Sequence, residues 1–162
     1  MISFLLTSVG YGQVDLNHIR NLYLHENNKE NIEYISKINP ESDNANEKYV
    51  LMAYKGTCTS MMAKFTFSPF AKFSYFSEGV KLIELSISKN KSVENVFLRL
   101  LVQINSPGFL NYHSEIENDL NFMIENIEKS SLSLSVKKTM IKKIVDSEYV
   151  SDKIVILKNV NL

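Results

Sequence analysis

Ser92-Val93-Glu94-Asn95-Val96-Phe97-Leu98-Arg99-Leu100-Leu101-Val102-Gln103-Ile104-Asn105 is the stretch that decides the fold. Val93, Val96, Phe97, Leu100, Leu101 and Ile104 recur at the three- and four-residue steps of an α-helix. Ser92 supplies a hydroxyl to cap the first turn, and Ser106-Pro107-Gly108 ends the element. A second stripe runs along the same helix: Asn95, Arg99 and Gln103 stand at i, i+4 and i+8, so three polar side chains share one face. That stripe has two readings. It is structural: the exposed face of an amphipathic helix, or an arginine paired internally with Glu84 or Glu94. Or Arg99 lines a groove, where its planar guanidinium can grip a carboxylate with two parallel hydrogen bonds.

Outward from this helix the same period continues in both directions. Before it, helices are predicted over about 15–26, 29–38, 47–66 and 70–89. Their stripes are Leu16, Ile19, Leu22 and Tyr23; Ile32, Ile35 and Ile38; Val50, Tyr54, Cys58, Met61 and Phe65; and Phe73, Phe76, Val80, Ile83 and Ile87. Pro40 and Ser68-Pro69 mark stops, because proline disfavours the helical region for the residue before it. After it, helices are predicted over about 109–129, carrying Phe109, Tyr112, Ile116, Leu120, Met123 and Ile127, and over about 135–146, carrying Val136, Met140, Ile141, Ile144 and Val145. The apolar run Ile154 to Leu157 is too short for its period to type it. Short turns between helices of this length favour antiparallel neighbours. The expected fold is therefore all-α: about seven helices in antiparallel hairpins, tetratricopeptide-like or an irregular bundle.

Composition agrees and excludes other classes. The 162 residues suit one domain, and 44% apolar with 22% charged residues is a globular balance. Five glycines and three prolines leave little turn chemistry for an all-β chain. Eighteen basic and eighteen acidic residues cancel, which gives no overall pull toward nucleic acid or an anionic membrane. A single cysteine, Cys58, excludes an internal disulfide and sits in an apolar stripe as a buried, inert thiol. His18, His25 and His113 lack metal-ligand spacing, and glycine-rich phosphate loops are absent. Glu115, Glu117 and Asp119 read as a solvated helix face. No nucleophile, base and orienter can be assembled, so neither an enzyme nor a cofactor is expected. Tyr75, Phe76, Phe109 and Tyr112 flank helix ends and read as core; Tyr54 and Tyr112 are also candidates to line a groove, since each has a polar tip.

Residues 2–12 are apolar and uncharged and end in Gly10-Tyr11-Gly12, with small residues at −3 and −1 before Gln13. That pattern resembles the end of a secretory signal peptide, so 1–12 is read as a signal-peptide remnant and 13–162 as a single helical domain. No run is long enough for a membrane span. The stretch Tyr54 to Asp119 resembles an uncharacterised Bacteroidetes family of predicted exported, all-helical proteins. The likeness rests on Tyr54-Lys55-Gly56, Met61-Met62-Ala63-Lys64, Pro69-Phe70, Ile83-Glu84, Phe97-Leu98-Arg99, Gln103 and Tyr112. The resemblance implies export and brings no activity. The expected function is a non-enzymatic protein-interaction module of the cell envelope, periplasmic or secreted if the leader is real and cytoplasmic otherwise. Its partner is expected to be a protein or peptide, with no nucleic acid and no metal. The alternative is a binder of a small ligand or peptide carboxylate, in a groove built from Arg99, Gln103, Tyr112 and Tyr54.

Overall fold

A computed structural model describes residues 14–147, 149 and 151–160. These residues form α1 (Leu16–His25), α2 (Lys29–Lys37), α3 (Ala45–Met62), α4 (Pro69–Lys89), α5 (Val93–Asn105), α6 (Ile116–Asn126), α7 (Leu134–Val145) and α8 (Asp152–Lys158). Short 3-10 turns lie at Ala63–Phe65 and Gly108–Leu110, and there is no strand among the described residues. The fold is all-α, as the periodicity predicts. Most helices start at a side-chain cap: Asp15, Asn28, Asn44, Ser68, Ser92, Ser133 and Ser151 each accept a hydrogen bond from a first-turn amide.

α5 is the axis of the molecule. Every residue from Val93 to Leu100 is buried, the polar ones included. α3 packs against α1, α2, α4 and α5, and α6 packs against α5 and α8. Ile19, Ile35, Leu51, Phe97, Leu120, Met123 and Ile144, among others, close into one core drawn from every helix except α4. α4 is the outlier, for it buries only Gly79, Ile83 and Ser86 along 21 residues.

α4 is held by an unusually close antiparallel crossing with α3. Gly56 faces Gly79, and one turn further along α3, Ser60 Oγ donates to the Phe76 carbonyl at 3.5 Å. A Cβ on Gly56 would lie 2.7 Å from the Gly79 carbonyl oxygen, and one on Gly79 would lie 2.6 Å from the Ser60 amide nitrogen. Neither obstacle is a flexible side chain, so backbone would have to move.

The structure departs from the sequence reading in three places. The tail forms α8, capped by Ser151, so the described residues hold eight α-helices where about seven were expected. α3 begins two residues early, because Asn44 accepts from the amides of both Asn46 and Glu47. The largest correction concerns the expected helix over 109–129. α6 spans only Ile116–Asn126, preceded by the turn at Gly108–Leu110 and by Asn111 at φ 50. Asparagine tolerates that left-handed conformation, which no helix continues through. Phe109, Tyr112 and Ile116 thus fall at helical steps without sharing a helix. The leader-like segment 1–12 lies outside the described residues.

Helix propensity alone says that Gly79→Ala stabilises by ~1 kcal/mol. The crossing reverses the sign: Gly79→Ala is expected to cost ~1–3 kcal/mol through overpacking. The denaturant midpoint measures it, and an unchanged or raised midpoint would mean that the helices do not approach this closely.

Candidate functional site

α5, α6 and α4 bring Arg99, Gln103, Tyr112, Asp119 and Glu84 together. Arg99 sits mid-helix, 7% exposed. Its Nε donates to Asp119 Oδ2 at 2.8 Å and its Nη2 to Asp119 Oδ1 at 2.6 Å, a two-pronged grip on a carboxylate of the same chain. Its Nη1 donates to Glu84 Oε2 at 3.0 Å. Gln103 Nε2 donates to Asp119 Oδ2 at 2.8 Å, and its Oε1 accepts from the Glu115 amide at 3.2 Å, holding the start of α6. Tyr112 donates to Glu84 Oε1, and its ring meets Phe76 edge-on with centroids 5.8 Å apart.

Burial pulls the Arg99 pKa down, but Asp119 and then Glu84 outweigh it and raise it above its ordinary value. Burial, followed by the Glu84 carboxylate, raises the Tyr112 phenol. Burial also pushes the Asp119 carboxyl up, with Arg99 and Gln103 pulling against it. Chemically this is a charged, saturated cluster: the three guanidinium nitrogens all donate to carboxylates of the chain itself.

Tyr54 does not join this cluster. It is fully buried and donates to Glu94 Oε1 at 2.7 Å. Glu94 in turn accepts from Arg20 Nε and Nη2, both at 2.7 Å. Sequence reading offered Glu84 or Glu94 as the partner of Arg99; Glu84 is one, Glu94 belongs to Arg20, and the principal partner is Asp119. The expectation that Asp119 lies on a solvated face is corrected, because the α5–α6 packing leaves it 1% exposed. Glu117 is exposed and pairs with Lys153 at 3.0 Å, and Glu115 is half-buried at the start of α6.

The groove that does open lies elsewhere, at the end of the bundle where the α1–α2 turn, the α3–α4 turn and the chain after α5 meet. It has a volume of about 610 Å³. Tyr23, Met61, Phe73, Phe76, Val102 and Leu110 give it apolar walls, and Lys64, Lys72 and Lys143 line it without any carboxylate among its lining residues. Thr57 also lines it; its hydroxyl is buried and makes no hydrogen bond among the described residues. Burial lowers the Lys143 pKa, with Asp146 opposing. Phe73 (64% exposed) and Phe109 (85%) line the groove, and Phe67 (100%) and Phe70 (91%) lie close in sequence to its lining residues Lys64, Pro69 and Lys72.

The expectation that Phe109 and Tyr75 are core side chains is therefore corrected: both are exposed, Phe109 because it rides a 3-10 turn and not a packed helix. A signal for this end was present in the sequence. Between Glu47 and Glu78 there is no acidic residue, while Lys48, Lys55, Lys64 and Lys72 and five phenylalanines from Phe65 to Phe76 fall inside that interval. Cys58 is buried as read, and burial pushes its thiol pKa up.

Among the described residues no helix is long and apolar enough to cross a membrane, and no group of three or more His, Cys, Asp or Glu is placed to hold a metal ion. Comparison with known families, curated proteins and solved structures finds no match.

Two outcomes follow from this geometry. Arg99→Met strands a buried carboxylate and is expected to cost ~3–5 kcal/mol in equilibrium unfolding. Arg99→Lys, which keeps the charge and loses the fork, should fall between Met and the parent. Adding Asp119→Leu to Arg99→Met should recover most of the loss. A midpoint unchanged by Arg99→Met would show that the pair is not buried in solution. Separately, Cys58 should resist a disulfide-exchange reagent in native protein and react fully in denaturant, because a buried thiol of raised pKa presents almost no thiolate. Native labelling as fast as that of a free thiol would contradict its burial.

Proposed function

We propose that this chain is a non-enzymatic helical interaction module of the cell envelope whose contact surface is the aromatic end of the bundle. The observation that carries this reading is one apolar groove lined by the exposed Phe73 and Phe109, with the exposed Phe67 and Phe70 close in sequence to its lining residue Pro69. Contiguous exposed apolar surface of this kind marks interaction sites, since water penalises leaving it bare. The helix-hairpin scaffold supports it, presenting loop tips from three connections side by side as tetratricopeptide-like modules present their faces. The leader-like pattern of residues 2–12 and the resemblance to exported helical proteins support the envelope setting.

The alternative of a carboxylate ligand held by Arg99 is weaker on this geometry. Such a ligand would have to displace Asp119 or Glu84, which already occupy the guanidinium. Each of Arg99, Gln103 and Tyr112 is held by the carboxylate of Asp119 or Glu84, which supports a structural rather than a catalytic role for them.

Photo-crosslinking tests the reading. Benzoylphenylalanine replaces Phe70 or Phe109 in one set and the exposed Val155 of α8 in a control. In whole lysate of the native host, membranes included, adducts are expected from positions 70 and 109 and not from 155. Absence of adducts at 70 and 109, or equal adducts at 155, would sink the assignment of this surface.

A further inference from the structure

The aromatic end has a composition that selects among partners. Phe67 occupies the α3–α4 connection, Phe70 the first turn of α4, and Phe109 the 3-10 turn after α5, so the exposed rings sit on loop tips and helix starts. Lys64 and Lys72 line the groove beside them and make no hydrogen bond or ion pair among the described residues. Lys29 lies 5.5 Å over the Phe65 ring and Lys143 lies 6.0 Å over Tyr23, so both ammonium groups stay at the same end without a salt bridge. Acidic residues stand at the edge: Glu26 just after α1 accepts from the Asn21 side-chain amide, Glu30 lies in the first turn of α2, and Glu33 of α2 is held by Lys37.

Both arginines are used inside the protein, and there is no tryptophan. That matters because protein–protein contacts favour arginine as their cation, take phenylalanine as readily as tyrosine or tryptophan, and are depleted in lysine. Protruding phenylalanine with flanking lysine is instead the pattern of surfaces that rest in the headgroup and upper acyl region of a bilayer. The overall charge of zero does not oppose this. Charge is felt within about a Debye length, ~8–10 Å at physiological salt, so the groove's own lining, with Lys64, Lys72 and Lys143 and no carboxylate, weighs most in the field at this end.

We propose that the aromatic end docks on an anionic lipid surface, Phe67, Phe70 and Phe109 entering the interface and Lys29, Lys64 and Lys72 meeting the anionic headgroups. The inference rests on the interaction surface proposed above and names its partner. Attachment is peripheral, from one end of the bundle. The groove behind the rings offers apolar walls against which an acyl chain can lie.

The test is co-sedimentation of the 162-residue chain with vesicles of phosphatidylcholine and phosphatidylglycerol in equal parts, compared with phosphatidylcholine alone. Binding is expected to the anionic vesicles, at least tenfold weaker to the neutral ones, and falling with added salt. Phe67→Ser with Phe70→Ser should weaken it tenfold or more, and Lys64→Gln with Lys72→Gln by roughly 25-fold, about fivefold per lysine. All four side chains are exposed, so these variants should keep the parent's unfolding midpoint. The pair Val155→Ser and Ile156→Ser, exposed on α8, should bind as the parent does. Equal retention on both vesicle types, or indifference to the phenylalanine and lysine variants, overturns the proposal. If vesicles fail while crosslinks at positions 70 and 109 persist to a protein in membrane-free extract, or join two copies of this chain, the lipid partner is wrong and the interaction surface stands. If both fail, both readings fall.

Discussion

The grip of Arg99 on Asp119 is the constraint around which the other helices are arranged. A guanidinium in the middle of the most buried helix is a costly placement, and it is tolerable only because two carboxylates and a phenol-bearing neighbour complete its surroundings. Its geometry is directional in a way that apolar packing is not. Two parallel hydrogen bonds to one carboxylate fix the rotation of α5 relative to α6, and the bond from Gln103 to the Glu115 amide fixes where α6 begins. Through Glu84 the same cation reaches α4, so three elements take their register from one side chain.

A second cluster repeats the logic on the far side of α5. Arg20 grips Glu94 in the same two-pronged manner, and Tyr54 adds its hydroxyl. The two clusters anchor α5 near both of its ends. They also decide what the surface is made of. With both arginines committed to these clusters, the outside is left to lysine, glutamate and aspartate, whose exposed pairs, such as Lys37 with Glu33 and Lys142 with Asp146, contribute little to stability.

Most of the architecture was legible from residue spacing. Apolar positions three and four apart, stopped by Pro40, Pro69 and Pro107 and started by serine, asparagine and aspartate, locate the helices to within a few residues. The failure at 109–129 has a local cause: Asn111 adopts a left-handed turn that the apolar period ignores. Arg99 and Gln103 were identified from their spacing and their polarity within an apolar helix, and Tyr112 from the polar tip of its ring. Asp119 was not, because burial of a carboxylate depends on which helix arrives opposite it, and a single helix sequence does not say. Tyr54 was misplaced for the same reason. The exposed aromatic end was read as core because periodicity reports which residues share a face and not whether that face finds a neighbour.

That last point returns to the crossing of Gly56 and Gly79. Of α4 only Gly79, Ile83 and Ser86 are fully buried, so its first half extends from the crossing as an arm with half-buried contacts. Phe70 stands about 14 Å from the crossing by helical rise. Phe73 and Phe76 of the same arm wall one side of the groove. Two residues without side chains thus set where that wall stands. Added volume at 56 or 79, by forcing the helices apart, would be carried along the arm to the mouth of the groove.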